Sequence, residues 1–427
     1  MTDRPAAPSA AAPRARSALR HKGYRIFFAG VVLAFTADSV EHVISYWMIY
    51  QKFQSATLGG FAVVSHWLPF LLFSVLVGAL ADRFDPRRLI QLGMLCFMAA
   101  SAAWGYFFLT DSLQMWQAQA ILVVHGLAGV LWMPSTQLLI HDMVDIELLP
   151  SAVRLNATAR WVGFLAGPVV GTALQQGFGP STGILINVLL YAPLVIWLWR
   201  APYGPRFRVG ERVVRPAIRG IADIIETIKV VAAHPVLLAM TLLAASISIL
   251  IGTAYQPQMP AFARDLGHGN AGVAYGMLLA ADATGALIAA IVLESTNFLP
   301  PRARTTEILA LLWSLAIVGF ASAASYPVAL AFLFVAGFLE LSFNSMAQTL
   351  IQINAPAPVR GRVIGLYSMA ALGLRSFSGI TVGLGGRLIG VHWSLGLCAG
   401  AVGIVMLALI GVSNRRAAAA VGAGPAG

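Results

Sequence analysis

The stretch G-A-L-A-D-R-F-D-P-R-R, from Gly78 to Arg88, is the most informative part of this sequence. It follows one apolar run, Leu58–Ala81, and precedes another, Leu89–Leu109, and each run is long enough to cross a bilayer as a helix. An acid, Asp82, and three arginines lie at the junction. Because short arginine-rich loops stay on the cytoplasmic side of a membrane, the stretch predicts two spanning helices joined by a cytoplasmic turn.

The whole chain has the composition of a membrane protein. Of its 427 residues, 58% are hydrophobic and only 11% are charged, whereas soluble proteins carry about 25% charged residues. Apolar runs bounded by charged or turn residues predict twelve spanning helices. The runs are Tyr24–Tyr50, Leu58–Ala81, Leu89–Leu109, Met115–Ile140, Leu155–Phe178, Gly183–Trp199, Val236–Phe262, Gly272–Leu293, Ile308–Ser325, Val328–Ile351, Val363–Gly386 and His392–Val412.

These runs divide the chain into two six-helix halves, residues 23–200 and 234–413. We predict a basic cytoplasmic linker over residues 201–233, with an amphipathic stretch around Ile218–Val231 that lies along the membrane surface. Residues 1–22 are rich in Ala, Pro and Arg and contain no apolar run, which predicts a disordered cytoplasmic tail. Residues 414–427 form a second predicted cytoplasmic tail.

The net charge of +11 predicts orientation rather than a nucleic-acid partner. With the N-terminus inside, 23 of the 28 Lys and Arg residues fall on the cytoplasmic side. Three fall outside, and Arg160 and Arg375 lie within spans. The pattern therefore predicts a multi-pass protein of the plasma membrane, in a bacterium the inner membrane, with both termini cytoplasmic. The basic face would attract anionic lipid of the bilayer, and no nucleic acid is expected to bind.

The two halves resemble each other in sequence. A shift of 211 residues places Gly126 on Gly337 and Gln137 on Gln348, and a shift of 212 places Asp82 on Glu294. The same shift of 212 places Gly167 on Gly379 and Gly171 on Gly383. A glutamine, three glycines and an acid in one register indicate a duplicated six-helix unit. Parallel repeats of this kind bind their substrate at the midplane between the halves.

The loop after the second span resembles the signature G-x-L-A-D-R-x-G-R-R of the major facilitator superfamily. Its matching residues are Gly78, Leu80, Ala81, Asp82, Arg83, Arg87 and Arg88. The later glycine of the signature is Asp85 here and its first following basic position is Pro86, so the usual charge pairing requires Arg87 to substitute. The resemblance implies a cytoplasmic gate formed by Gly78, Asp82, Arg83 and Arg87. The acid would lie against the positive end of a helix of the other half.

Further motifs resemble the twelve-span drug:proton antiporter branch of that superfamily, which contains the enterobactin-exporter-like transmembrane secretion effectors. Span five carries G-F-L-A-G-P-V-V-G-T, from Gly163 to Thr172, similar to the antiporter motif G-x-x-x-G-P-x-x-G-G. Its candidate residues are Gly163, Gly167, Pro168 and Gly171; helix packing alone is the other interpretation. Leu131–Val144 and Phe343–Val363 resemble the same branch, while Leu122 replaces an arginine that many proton-coupled exporters carry.

What the resemblance implies is an all-α integral membrane protein with the major facilitator fold, twelve transmembrane helices in two halves. The expected function is proton-coupled export of an amphipathic small molecule, such as a drug or siderophore, by alternating access. The expected partners are this substrate, protons and lipid, and the expected state is a monomer. A proton-independent facilitator or importer of a metabolite or lipid is the alternative. More remote is a transport-inactive membrane sensor or a lipid-modifying enzyme.

Ionisable groups inside a span are costly, so each is a candidate functional residue. Asp38, Glu41 and His42 lie on one face of span one, at i, i+3 and i+4, near its midpoint. Two neighbouring carboxylates titrate as a coupled pair, so one of them can take up and release a proton as the cavity opens to each side. These three residues are the predicted proton-coupling group. An ion pair between His42 and one carboxylate is the structural alternative.

Other polar residues within spans are candidates for the substrate cavity, namely Arg160, Asp282, Glu340, Asn344 and Arg375. We expect Arg375 to pair with Glu340 or Asp282, or to serve as the counter-charge of an anionic substrate. His66 and His125 have no acid within their own spans and are interpreted as packed or pore-lining histidines. The chain contains no P-loop, H-E-x-x-H or C-x-x-C motif, so we predict no cofactor, no metal site and no enzymatic activity.

Overall fold

The computed structural model describes residues 17–53, 56–205, 207, 220–253, 255, 259–267, 271–296, 299–378, 381–382 and 385–422. Every regular element among these residues is helical. The first half contributes six long helices, each close to a predicted span. They are α1 (Lys22–Phe53), α2 (Ala56–Arg83), α3 (Pro86–Leu109), α4 (Met115–Met143), α5 (Leu149–Phe178) and α6 (Pro180–Arg200).

The second half follows the same plan after a short linker helix, α7 (Ile221–Ala233). It consists of α8 (Pro235–Leu250), α9 (Met259–Asp265), α10 (Ala271–Thr296), α11 (Ala303–Ala321), α12 (Tyr326–Asn354), α13 (Arg360–Ala371), α14 (Gly385–Ile389) and α15 (Val391–Gly422). A short 3-10 helix, Gly373–Phe377, lies between α13 and α14. Spans seven and eleven are therefore each built from more than one helix, whereas the apolar runs predict continuous spans.

The breaks in spans seven and eleven lie against each other. Gly252 follows α8 with a φ of 51°, a conformation that glycine adopts at little cost. The hydroxyl of Ser248 donates to the carbonyl of Ala371 (2.7 Å), and that of Thr381 donates to the carbonyl of Leu250 (2.9 Å). These side chains satisfy backbone groups that the broken helices leave unpaired, which is the requirement for interrupted helices inside a membrane.

Within the described residues, nine helices are long and apolar enough to cross a membrane by themselves. The remaining three of the twelve spans are the two broken ones and α5, which carries Arg154 and Arg160. The linker helix α7 meets α8 at an angle of 112°. Its isoleucines Ile221, Ile225 and Ile228 are exposed while Asp223 is buried, so α7 is amphipathic as the sequence predicts.

Several predicted segments lie outside the described residues. These are residues 1–16 and 423–427 of the two tails, residues 208–219 of the linker, and the repeat positions Gly379 and Gly383. The end of the predicted N-terminal tail differs from the expectation of disorder. Residues Ala18–Arg20 form a 3-10 helix, and the Ala18 amide donates to the hydroxyl of Ser151 at 2.8 Å. At the other terminus α15 continues to Gly422.

Equivalent glycines allow equivalent helix pairs to pack closely in the two halves. Gly126 on α4 faces the backbone carbonyl of Ser65 on α2, and Gly337 on α12 faces the backbone carbonyl of Asp282 on α10. At either position a Cβ would overlap that carbonyl. The pairs α2/α4 and α10/α12 are thus packed alike, as a duplicated unit requires.

We call the end of the bundle that holds α7 and the α2–α3 turn the linker end, and the opposite end the far end.

Candidate substrate cavity and its charged walls

A cavity lies between the two halves and consists of two adjoining lobes. The far-side lobe has a volume of about 350 Å³, and the linker-side lobe about 80 Å³. Both lobes are lined by the same five residues where they meet: Phe35, Met133, Arg160, Trp161 and Arg375. The two lobes therefore adjoin at a waist that contains two arginines, at the midplane position that the repeat predicts.

Aromatic side chains form much of the cavity wall. Trp67 lines the far-side lobe, Trp132 the linker-side lobe, and Trp161 both. Two other large aromatic residues of the spans lie elsewhere. Trp47 is half exposed and lines neither lobe, and Phe343 is buried against Trp313 in the core of the second half. The wall presents flat apolar surfaces interrupted by a few polar groups, as small-molecule sites do.

The two arginines face the cavity from opposite halves. Arg160 comes from α5, and Arg375 from the 3-10 helix in broken span eleven. The guanidinium of Arg375 lies 5.2 Å from the ring centroid of Trp67, and its Nε donates to the carbonyl of Ala371 at 3.0 Å. Across the described part of the chain, no carboxylate lies within 4.0 Å of either guanidinium, and Arg160 makes no hydrogen bond. Both charges therefore face open space.

The acids expected as partners of Arg375 lie behind this wall. Asp282 is buried on α10, where Tyr255 donates to it at 3.4 Å, and Glu340 is half-buried on α12. Neither acid is among the described residues that line the two lobes. Glu340 is close enough to interact electrostatically with Arg160 and Arg375 without forming an ion pair. Asn344 lines the linker-side lobe as expected.

A cluster of acids and histidines forms the wall of the cavity in the first half. His125 on α4 lies between two carboxylates of α1: its Nδ1 is 2.9 Å from Oε1 of Glu41, and its Nε2 is 3.0 Å from Oδ1 of Asp38. Both acids that we predicted for proton coupling therefore contact the same imidazole. His125 is buried, as the sequence interpretation has it, and its acidic neighbours come from α1 and not from its own helix.

The members of this cluster differ in their access to the cavity. Asp38 and His42 line the far-side lobe, whereas Glu41 is buried behind them. The other carboxylate oxygen of Glu41 accepts a hydrogen bond from Ser101 on α3. His42 is 3.9 Å from the Asp38 carboxylate, and its Nδ1 is 2.7 Å from the Asp38 backbone carbonyl. The ion pair considered for His42 is thus weak, and His125 is the principal partner of both acids.

At the linker end, Asp82 joins the two halves. Its carboxylate, at the end of α2, accepts hydrogen bonds from the backbone amides of Gly361 (2.6 Å) and Arg362 (2.9 Å), in the first turn of α13. Gly78 lies against the Gly361 carbonyl, where a Cβ would overlap it. This is the predicted contact of an acid with the positive end of a helix of the other half. We call it the first latch.

The arginines of the loop motif do not all take part in the first latch. Arg87 forms an ion pair with Asp85 (2.6 Å) and donates to the carbonyl of Ala201. It therefore does not replace the basic residue of the signature, here Pro86, as a partner of Asp82. Arg83 is exposed at the end of α2. Arg362 instead connects the latch to the linker helix, because its guanidinium is 2.8 Å from the carboxylate of Asp223 on α7.

A second latch lies at the equivalent position of the repeat. Glu294, at the end of α10, accepts hydrogen bonds from the hydroxyl of Ser151 (2.5 Å) and the guanidinium of Arg154 (3.1 Å), both in the first turns of α5. Glu294 corresponds to Asp82, and the start of α5 corresponds to the start of α13. The linker end is therefore held closed by two related contacts, one on each side of the bundle.

The antiporter-like motif of α5 packs against α1. A Cβ at Gly163 would overlap Phe35, one at Gly167 would overlap Ser39, and one at Gly171 would contact Val43. Pro168 lies inside the helix beside them. The close approach of α5 holds the face of α1 that carries Asp38 and His42 toward the cavity. Helix packing thus accounts for the spacing of the glycines.

The sequence interpretation did not place the histidines of α2 and α4 beside His42. His66 and His125 lie close to His42, with ring centroids 5.1 and 4.7 Å away. A signal was present, because a histidine at the middle of an apolar span is as costly as an acid unless it finds a partner. The rotation of α4 about its own axis decides which helix supplies that partner, and the apolar residues around α4 leave this rotation undetermined.

A two-half helical bundle with a charged cavity at its centre defines a class of membrane transporters. Residues 26–379 match the sequence profile of the Major Facilitator Superfamily. The chain belongs to this superfamily and has its fold.

Two curated proteins are similar to part of the chain. The multidrug efflux pump LfrA of Mycolicibacterium smegmatis is 29% identical over 187 residues, 43% of this chain and 35% of the pump. The macrolide efflux protein A of Streptococcus pyogenes is 22% identical over 194 residues, 45% of this chain and 46% of that protein. The chain thus spans about a third and about half the length of these relatives.

Solved transporter structures share the fold at low sequence identity. A bacterial homologue of the iron transporter ferroportin in an outward-facing state has a TM-score of 0.69 at 15% identity and covers 93% of this chain and 99% of its own. The human organic anion transporter MFSD10 has a TM-score of 0.68 at 14% identity, covering 92% and 100%. The fucose:proton symporter of E. coli has a TM-score of 0.67 at 12% identity, covering 91% and 99%.

Proposed function

We propose that this protein is a secondary active exporter that moves an amphipathic small molecule, such as a drug or siderophore, out of the cell in exchange for protons. The observation that carries the proposal is the central cavity, which combines three tryptophans with two arginines that face open space. Apolar walls suit the body of an amphipathic molecule, and the arginines suit an acidic group on it. The efflux activity named for both curated relatives supports export.

The closed linker end supports alternating access. Both latches hold the halves together at that end, and the larger lobe of the cavity lies on their far side. With the linker end cytoplasmic, as the distribution of Lys and Arg predicts, this arrangement corresponds to an outward-facing state. The reverse state requires both latches to open. Because each latch bonds a carboxylate to the start of a helix in the other half, the two halves can rock as rigid bodies about the cavity.

In this proposal Asp38 is the proton acceptor that the cavity exposes. Its carboxylate lines the far-side lobe, and Glu41 behind it is already bonded to Ser101 and His125. Two carboxylates against one imidazole leave a negative charge when neither acid is protonated. Enclosing that charge in the membrane is costly, and a proton on Asp38 removes the cost. A proton taken from outside would therefore favour the return of the empty carrier to its inward-facing state.

The membrane potential would drive both parts of the cycle for an acidic substrate. Each charge that crosses the membrane gains about 2.3 kcal/mol per 100 mV. An anion that leaves the cell and a proton that enters both move in the favourable direction. We further propose that the chain belongs to the drug:proton antiporter branch, resides in the bacterial inner membrane with both termini cytoplasmic, and acts as a monomer.

The test is transport by the purified protein in proteoliposomes. A fluorescent lipophilic carboxylate and its neutral amide serve as matched substrates, and a trapped pH-sensitive dye reports proton movement. We expect an imposed proton gradient to drive the carboxylate against its own gradient, with protons moving in the opposite direction. Substrate-free liposomes and liposomes without protein give the background rates.

The alternatives lead to different results in the same vesicles. Counterflow of the probe that is equally fast without a proton gradient, with no dye response, would identify a proton-independent facilitator. Proton movement in the same direction as the probe would identify an importer. No transport of either probe, under any gradient, would contradict the proposal of a small-molecule exporter of this specificity.

A further inference from the structure

Three histidines from three different helices meet in the wall of the far-side lobe. His42 comes from α1, His66 from α2 and His125 from α4, and their ring centroids are 4.7 to 5.4 Å apart. One ring nitrogen of each lies within 4.8 Å of one nitrogen of the other two. We call these residues, together with Asp38, the histidine cluster.

The spacing of the rings matches that of imidazoles around one metal ion. Metal–nitrogen bonds of about 2.0–2.1 Å and tetrahedral angles place the ring centroids of two ligating histidines about 5 Å apart. The observed separations bracket this value. The nitrogens of such ligands are about 3.3 Å apart, so the rings must move closer to one another to bind one ion.

Two of the rings are already oriented as metal ligands usually are. Nδ1 of His125 is 2.9 Å from the Glu41 carboxylate, and Nδ1 of His42 is 2.7 Å from the Asp38 backbone carbonyl. A ligating histidine commonly donates its second ring N–H to a carboxylate or a backbone carbonyl in this way, which leaves the other nitrogen for the metal. Ser101, which donates to Glu41, extends this support by one further layer.

The remaining polar atoms of the cluster have no hydrogen-bond partner among the described residues. Nε2 of His125 and Oδ1 of Asp38 are 3.0 Å apart, yet their geometry does not meet that of a hydrogen bond, and both are buried. Nδ1 of His66 is likewise buried without a partner. A nitrogen and a carboxylate oxygen bound to one tetrahedral ion would lie at about this separation. Buried nitrogen and carboxylate oxygen atoms without hydrogen bonds, beside a second and a third imidazole, are an arrangement that a bound cation would satisfy.

We propose that the histidine cluster binds a divalent transition-metal ion, with His42, His66 and His125 as nitrogen ligands and Asp38 as an oxygen ligand. The charge supports this: Asp38 and Glu41 together carry two negative charges inside the membrane, and one divalent ion neutralises both. Asp38, His42 and His66 line the far-side lobe, which gives the ion its entry path. Imidazole ligands with one carboxylate suit zinc, cobalt or nickel, and do not suit magnesium or calcium. The inference rests on the geometry of the cluster; it shares Asp38 with the proposed proton exchange, and its test measures metal binding and not transport.

The test is metal binding by the purified full-length protein in detergent, after removal of any histidine tag and treatment with a chelator. Zn²⁺ is titrated against a chelating dye, and Co²⁺ is followed by visible absorption. We expect one ion per chain and the intense absorption of four-coordinate Co²⁺. The variant His66→Gln is the primary test, because Nδ1 of His66 has no hydrogen-bond partner in the described part of the chain and its loss should leave the protein folded.

Three variants separate a real site from adventitious binding. His66→Gln should abolish stoichiometric binding, and Glu41→Gln should weaken it about ten- to a hundredfold through the orientation of His125. The matched control is His392→Gln, which lies near Asp265 on the other half and should bind as the parent does. The elution volume and the unfolding temperature, both measured without metal, show whether each variant is folded. Absence of stoichiometric binding in the folded parent, or equal binding by folded His66→Gln, would overturn the proposal.

Discussion

Gln137 on α4 and Gln348 on α12 occupy equivalent positions in the two halves, and they are hydrogen-bonded to each other: Nε2 of Gln137 donates to Oε1 of Gln348 at 2.9 Å. Residues related by a two-fold axis can contact each other only where they lie close to that axis. The pair therefore marks the pseudo-two-fold axis of the bundle, and both residues line the linker-side lobe of the cavity. Gln352 adds a second bond to Gln137, at 2.5 Å. The two latches lie on opposite sides of this axis.

The first prediction concerns the first latch. Asp82→Ala removes two hydrogen bonds from backbone amides at the start of α13. A carboxylate at a helix N-terminus contributes about 0.3–2 kcal/mol, so the population open at the linker end should rise about twofold to thirtyfold. Distances between spin labels at Ile146 and Ile353, two exposed residues at that end on different halves, measure this population.

The control for the first latch is Asp265→Asn, an acid at the far end that should leave the label distances unchanged. Glu294→Ala should open the same end, because it removes the bonds to Ser151 and Arg154. Since the two latches lie on different helix pairs, the double variant should open more than either single variant. Equal distances in all variants would mean that the latches do not hold this end closed.

The second prediction concerns the proposed proton acceptor. Asp38→Asn should abolish proton-linked transport while counterflow of the substrate persists, because the variant cannot lose a proton in the cavity. The dye-loaded proteoliposomes described above measure both rates, and the elution volume reports folding.

The matched control for Asp38 is Asp111→Asn. Asp111 is an acid of the far-end loop, and its pKa is lowered by the hydrogen bond and charge of Lys52. It therefore stays ionised at neutral pH and takes no part in proton exchange. A folded Asp38→Asn protein that still couples substrate movement to protons would exclude Asp38 as the acceptor.

The third prediction concerns the arginine of broken span eleven. Arg375→Gln should raise the half-saturation concentration for the fluorescent carboxylate about tenfold or more, since hydrogen bonds to charged groups contribute about 1.5–3 kcal/mol. The half-saturation concentration for the neutral amide should rise much less. Arg375→Lys should recover part of the loss, because it retains the charge but not the planar contact with Trp67.

Arg264→Gln is the control for Arg375, because Arg264 is a largely exposed arginine at the far end. It should leave both half-saturation concentrations unchanged. If Arg375→Gln weakened the binding of the carboxylate and of the amide equally, the arginine would act on the shape of the cavity and not on the charge of the substrate.

The fourth prediction tests the packing of α5 on α1. A Cβ at Gly167 would overlap the side chain of Ser39. Gly167→Ala should therefore destabilise the protein by about 1–3 kcal/mol, the usual cost of overpacking, and lower its unfolding temperature in detergent. Gly177→Ala, in the same helix with open space around it, should leave that temperature unchanged or raise it. Equal behaviour of the two variants would contradict this packing role.

Much of the fold could be predicted because its signals are local. Apolar runs reveal most spans, and the Gly78–Arg88 stretch reveals the first latch, since a carboxylate at the end of one span needs a donor nearby. The breaks at Gly252 and Gly373–Phe377 were not predicted, because glycines and isolated polar residues also occur within continuous transmembrane helices. Their stabilising bonds, from Ser248 and Thr381, come from another span.

The cavity was predictable only in part. Asp38, His42, Arg160 and Arg375 are conspicuous as costly groups in spans, and all four line it. Their partners were not predictable, because contacts such as Glu41 with His125 join residues 84 positions apart in the chain. Such contacts depend on how each helix is rotated, and an apolar helix gives no signal for its rotation.

The internal repeat has a consequence for how this protein diverged after its duplication. Displaced by the 211 residues that separate Gln137 from Gln348, the positions of Asp38, His42, His66 and His125 fall on Ile249, Thr253, Met277 and Ala336. The second copy thus kept the latch acid, as Glu294, and the axial glutamine, but it has none of the titratable groups of the first. The correspondence between the copies is retained in the residues that join the halves, while the acids and histidines of the proposed cation site occur in the first copy.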